Sequence, residues 1–159
     1  MGRSRMLRRR RKSKADALAD VSKEETRQSA EQELTSLLKN LSPELDPVTY
    51  GFATLPKADE FIGLFPIMLF NEAEGVTGVV PYEKADAADI ALNFPCKRII
   101  LQVNSSLDAV GLVAKVSAIL AENDIPANVV SAFHHDHIFV PEGRADFALE
   151  ILKALSAAE

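Results

Sequence analysis

Arg98-Ile99-Ile100-Leu101-Gln102-Val103-Asn104-Ser105-Ser106-Leu107-Asp108-Ala109-Val110-Gly111 changes character at its midpoint. The first six residues follow Pro95 and are rich in branched side chains, the composition of a short buried strand. The polar Asn-Ser-Ser cluster ends that strand. Ala109, Leu112, Val113, Val116 and Leu120 then recur at the spacing of one helical face. Ser105 and Asp108 stand at the N-cap and N3 positions of a capping box for a helix over 107–122, with Asp a shorter substitute for the usual Glu or Gln. The spacing predicts an end to this helix near Asn123-Asp124, ahead of Ile125-Pro126. Ala127 to Phe133 and Ile138 to Val140 read as two strands joined by a polar turn through His134-His135-Asp136. Beyond Pro141, Ala145, Ala148, Leu149, Leu152 and Leu155 share one face of a second helix.

The preceding half repeats this plan in weaker form. Leu34, Leu37, Leu38 and Leu41 form a short leucine face, which Ser42-Pro43 ends. With fewer than two heptads it is a docking helix, over 31–45, and not a zipper. Val48 to Leu55 alternates as a strand, with Tyr50, Phe52 and Thr54 on one side and Gly51, Ala53 and Leu55 on the other. Pro56 to Gly63 reads as a loop. Ile67 to Phe70 and Val76 to Val80 read as a hairpin, with Gly75 suited to a left-handed turn position, and Tyr82 to Ile90 as a small helix. The chain thus divides into a basic arm over 1–30, the docking helix over 31–45, a degenerate unit over 46–95 and a complete unit over 96–159. No self-similarity that would prove a repeat stands out.

Net charge separates the arm from the body. Residues 1–14 hold eight of the 18 Lys and Arg and no acid, which leaves ten basic residues against 23 acidic ones in the rest. The arm is too poor in apolar residues to repay the entropy of ordering, and disorder is expected through about residue 25. It reads as a nuclear-import or polyanion-binding segment, an organellar transit peptide, or a solvated tail. The acidic body argues against nucleic-acid binding except through the arm. No apolar stretch is long enough to span a bilayer, and the single Cys96 excludes an intrachain disulfide. A cytoplasmic location is the simplest expectation, with nuclear or organellar targeting through the arm as the alternative.

The start of the 107–122 helix carries the chemistry. Its unpaired amides and the positive end of its dipole suit a carboxylate. Asn104, Ser105, Ser106 and Asp108 add polar side chains, Asp108 as a partner for an ammonium group. Ala109, Val110, Gly111 and Leu112 complete the segment, and Gly111 allows close approach. Asn128, Glu72 and Glu74 are further candidates. The same residues also read as a plain cap, with Gly111 there for helix-sheet packing. His134-His135-Asp136-His137 invites a metal, but on an extended strand His135 and His137 share one face while His134 and Asp136 share the other. A turn with local Asp-His hydrogen bonds is expected, with no metal and no cofactor. The sequence shows no phosphate loop, dinucleotide glycine pattern or nucleophile elbow, so catalysis is not expected.

Leu41-Ser42-Pro43-Glu44-Leu45, Tyr50-Gly51-Phe52-Ala53-Thr54, Glu72-Ala73-Glu74-Gly75-Val76-Thr77, Ser105 to Gly111 and His135-Asp136-His137-Ile138-Phe139-Val140-Pro141 occur in the order found in small stand-alone tandem ACT-domain proteins. From about Leu34 to Leu155 the chain resembles that family, whose fold is related to the regulatory domains of aspartate kinases. The resemblance implies an α+β fold of two paired ferredoxin-like units and the binding of a small effector, typically an amino acid, in a non-catalytic regulatory role. A homodimer through sheet edges or helices is expected with it. The basic arm lies outside the family pattern, and His134 stands where an aromatic residue such as Tyr is expected. Alternatives are an interaction protein with a vestigial pocket and a metal-dependent hydrolase using His134 to His137.

Overall fold

A computed structural model describes residues 14–103 and 109–157. Helix α1 (Lys14–Lys39) leads into β1 (Ser42–Leu55), the hairpin β2 (Met68–Glu72) and β3 (Gly75–Pro81), and the short α2 (Tyr82–Ala87). Then come β4 (Asn93–Gln102), α3 (Leu112–Glu122), β5 (Asn128–Ser131), β6 (Asp136–Pro141) and α4 (Ala145–Ala157). The strands form one antiparallel sheet in the order β2-β3-β1-β4-β6-β5.

That order makes two ferredoxin-like units share their central strands. β1 is the first strand of the unit β1-β2-β3-α2, and β4 lies where its fourth strand belongs; β4 is the first strand of β4-α3-β5-β6-α4, and β1 fills the fourth place there. The registers fix a local twofold. Tyr50 opposes Pro81, Cys96 opposes Pro141, and Tyr50 opposes Cys96. Superposing the halves on this axis aligns Val80-Pro81, Lys84-Ala85-Asp86 and Ala88 with Val140-Pro141, Arg144-Ala145-Asp146 and Ala148. A repeat is therefore present in the sequence after all. Ala85 and Ala145 are both fully buried, because each lets its helix lie close on the sheet.

The core follows the strand alternation. On one face Ile99, Leu101, Ile138 and Val140 pack under Leu112, Val116 and Leu120 of α3, Ala148 and Leu152 of α4, and Leu37 and Leu38 of α1. In the first unit Ala53, Val76 and Val80 meet Ala85 and Phe61. The opposite face gathers Tyr50, Val79, Cys96 and Phe139, with Phe52 and Phe94 in edge contacts.

Several expectations change. Residues 14–30, assigned to the disordered arm, belong to α1; residues 1–13 lie outside the described ones. Ala, Glu, Lys and Gln in this stretch are good helix formers, Arg27 and Glu31 pair at 3.0 Å one turn apart, and the docked leucines provide a nucleus from which the helix propagates. The docking helix is correspondingly shorter at its other end, since Ser42 to Leu45 begin β1. Pro47 is tolerated in a central strand because the β1–β4 register shifts between Leu45 and Thr49. Ala58–Phe61 in the expected loop is a single 3-10 turn.

Phe61 replaces a helix in the first unit, and its ring lies on Gly78 so closely that a Cβ there would overlap it. Gly78→Ala should therefore cost about 1–3 kcal/mol by overpacking. Phe61→Leu should cost less in that background than in the wild type, which urea unfolding of the double-mutant cycle would measure.

Candidate functional site

The turn from β4 into α3 differs from the expected capping box. Ala109 and Val110 are not helical, and α3 opens at Leu112 with Gly111 as N-cap at φ 105°. A left-handed residue cannot sit inside a right-handed helix, so Gly111 sets the start. Asn104, Ser105, Ser106 and Asp108 lie outside the described residues. The Gly111 carbonyl accepts the first helical bond from the Lys115 amide at 2.9 Å. A Cβ at Gly111 would come within 3.0 Å of Leu34 Cδ2, so the close approach that glycine permits is taken on that side by α1. Val110 projects outward, 70% exposed, while Ala109 packs on the core.

The other candidates lie elsewhere. Asn128 opens β5 opposite Phe139, which opposes Arg98 four residues before the end of β4. That is about 13 Å back along the sheet and two strands across. Glu72 and Glu74 belong to the β2–β3 turn, beside Leu55 at the far end of β1, whereas β4 ends beside Ser42. Glu72 accepts from the Thr77 hydroxyl and Glu74 is exposed. One chain does not bring these carboxylates to α3.

A separate cleft of about 750 Å³ lies on the local twofold. Pro47, Val48, Thr49 and Pro95 line it from the central strands, Tyr82, Glu83 and Lys84 from the start of α2, and Glu142 from the start of the second unit's last helical segment. Thr49 Oγ1 donates to Glu142 Oε1 at 2.6 Å and so ties the two units together across it. Sequence reading missed this site because its residues are scattered over four segments; the shared Val-Pro-x-x-Lys/Arg-Ala-Asp signal is what would have located it.

Comparison with known proteins agrees with this architecture. ACT-domain family models match residues 29–97 and residues 94–154. The crystal structure of a Vibrio cholerae protein of unknown function, described as a possible transport protein, is 39% identical with a TM-score of 0.73, over 80% of this chain and 98% of the other. The chain belongs to the tandem ACT-domain family. The ligand-free regulatory subunit of aspartate kinase from Thermus thermophilus shares the fold at 12% identity and TM-score 0.56, over 71% of this chain and 95% of that one. An Agrobacterium tumefaciens protein does so at 19% and 0.59, over 73% and 89%. No curated protein matches the chain.

The histidine segment of the second ACT unit is a turn through Ala132 and His135 whose ends are joined by the Ala132 amide and the His135 carbonyl at 3.1 Å. His134 stacks edge-on with Phe133, centroids 4.9 Å apart. Asp136 is buried and accepts from the Ser131 hydroxyl, which replaces the expected Asp-His bond. No cluster of His, Cys, Asp and Glu able to hold a metal occurs among the described residues.

Between the ACT units, Asp46 binds Arg98 Nε at 3.0 Å, the Tyr50 hydroxyl at 2.8 Å and the Val48 amide at 3.0 Å. Burial pushes its carboxyl up, but the Val48 amide, the Tyr50 hydroxyl and the Arg98 guanidinium together hold it below its ordinary value. A carboxyl depressed on folding contributes stability above its unfolded pKa of about 3.9 and loses it as pH falls through the folded value. Asp46→Asn should cost about 1.5–3 kcal/mol at neutral pH, and the gap to wild type should close in strong acid, as urea unfolding at several pH values would show. Cys96 is wholly buried, and burial, with the Glu142 charge adding, pushes its thiol up to about 12. Native protein should thus resist a disulfide thiol reagent at pH 8 and react with one equivalent once unfolded.

Proposed function

We propose that this ACT protein is a regulatory module whose effector is a small amino acid, held where the second unit turns from β4 into α3. The observation that carries the reading is the inequality of the two units. Twelve residues join β1 to β2, with a single 3-10 turn, whereas 25 residues including α3 join β4 to β5. Among the described residues, only the second unit has a long helix between its first two strands.

Gly111 has no side chain with which to cap α3, so the first amides and the positive end of the dipole suit a carboxylate. Asn104, Ser105, Ser106 and Asp108 precede them in sequence, and Asp108 would receive the ammonium group. Val110 and Ala109 give the site an apolar margin. We read this constellation as binding and not catalytic, since the sequence shows no phosphate loop, dinucleotide glycine pattern or nucleophile elbow. Effector binding would act through a difference in affinity between arrangements of the units. Pairing of two copies fits the same reading, since β2 is an edge strand with Leu69 and Phe70 exposed. No helix among the described residues is long and apolar enough to cross a membrane.

Thermal unfolding in the presence of each of the twenty amino acids tests the proposal. One or a few should stabilise the protein by about 2.7 kcal/mol at a hundredfold excess over Kd. Asp108→Ala should remove that response and leave the unliganded midpoint unchanged. A flat panel favours an interaction protein with a vestigial pocket, and a mutant that responds like wild type refutes the position of the site.

A further inference from the structure

The cleft on the twofold is a second place for a ligand, and there a ligand would touch both ACT units. We propose that it binds a small amphipathic amine, with the apolar body on its proline-rich floor and the cationic head between Glu83, Glu142 and the ring of Tyr82. The inference is independent of the α3 reading.

Four observations carry it. First, a volume of about 750 Å³ lies within the range of small-molecule sites and exceeds what a bound water or ion needs. Second, the floor is preformed. Pro47, Pro81 and Pro95 have fixed φ, and the Thr49 hydroxyl holds the Glu142 carboxylate at 2.6 Å, so little ordering remains to be done on binding. Third, the lining has apolar surface open to solvent, since Tyr82 is 42% and Val48 39% exposed.

The fourth is the sign of the charge. Two carboxylates, Glu83 and Glu142, line the cleft with one ammonium, Lys84, while the Lys97 ammonium at its edge is already bound to the Pro47 carbonyl at 2.7 Å. Lys84 Nζ lies 5.4 Å from the Phe65 ring centroid and so has an attractive partner outside the cleft. The Glu142 charge also reaches inward, helping to raise the Cys96 thiol. An aromatic face beside two carboxylates attracts an organic cation and repels a carboxylate of the same shape. The halves differ here in the way a specific site requires: the twofold places Glu142 opposite Tyr82, and Arg144 opposite Lys84. The equivalent positions of the two units thus bring a carboxylate and an aromatic ring to the same cleft, where a symmetric pair would present two alike.

The chain reports on this cleft by itself. It has two tyrosines and no tryptophan, and both Tyr50 and Tyr82 line the cleft. Tyrosine fluorescence of the full chain, titrated with phenethylamine and with phenylacetate, compares two ligands of one shape and opposite charge. Phenethylamine should give a saturable change at least tenfold stronger in affinity than phenylacetate. The double variant Glu83→Gln, Glu142→Gln should weaken it roughly threefold to tenfold, and Lys84→Met should strengthen it by roughly threefold, a gain that loss of structure cannot produce. Asp108→Ala should leave the phenethylamine response unchanged even where it abolishes the amino-acid response. The proposal is overturned by the absence of a saturable change at millimolar phenethylamine, by equal binding of phenylacetate, or by unchanged or weaker binding in Lys84→Met. If the double variant does not fold, the two-ligand comparison and Lys84→Met still decide.

Discussion

The antiparallel pairing of β1 with β4 is the constraint on which the rest of the protein depends. A ferredoxin-like unit needs four strands, and neither half of this chain contains four; each completes its sheet with the first strand of the other. The pairing is held where it is weakest in backbone terms. The register slips between Leu45 and Thr49, and Asp46 in that slip grips Arg98 across to β4 and the Tyr50 hydroxyl on its own strand. The Lys97 ammonium adds a bond of 2.7 Å to the Pro47 carbonyl. An irregular stretch that would otherwise loosen the central strands is therefore clamped by charge-assisted hydrogen bonds, each about twice as strong as a neutral one.

Because the strands are shared, the two units cannot diverge freely at the axis, yet they have diverged away from it. Ala85 and Ala145 keep the same burial, each between a basic residue and an Asp, since both set a helix down on the sheet beside the twofold. Farther from the axis the second unit's connection is thirteen residues longer and holds α3, whereas the Phe61 ring covers the sheet in the first. Gly78 is the price of that substitution, for only a bare backbone leaves room for the ring. The first unit is thereby closed by packing at this place, whereas the second has a helix with the exposed Val110 beside it.

How far the sequence disclosed this depends on the range of the interaction. Period and composition located each strand among the described residues and the helices α2, α3 and α4, because each of those signals is confined to a few neighbouring residues. The ends were less legible. Ser105 and Asp108 had the spacing of a capping box, but the left-handed Gly111 moved the start of α3 to Leu112. The length of α1 was hidden because helix propensity, and not a sustained apolar period, extends it beyond Leu34, Leu37 and Leu38, which pack on the core. Strand sharing was not legible at all, since nothing local records that Tyr50 lies opposite Cys96.

The geometry also narrows how an effector could act. Cys96 and Gln102 are six residues apart on β4, so the cleft on the axis and the opening of α3 are separated by about 20 Å of strand that is paired on both sides. A doubly paired central strand is a poor carrier of a conformational change, because displacing it breaks two ladders at once. The element next to the α3 opening that can move at lower cost is α1, whose Leu34 rests on Gly111 and whose described residues before it are largely exposed. A ligand at that opening would meet α1 before it met the sheet. A ligand in the cleft would instead act on the Thr49–Glu142 bond, which spans the units without belonging to either ladder. The two positions thus have different levers, and any coupling between them must come from a shared preference for one arrangement of the helices and not from strain passed along β4.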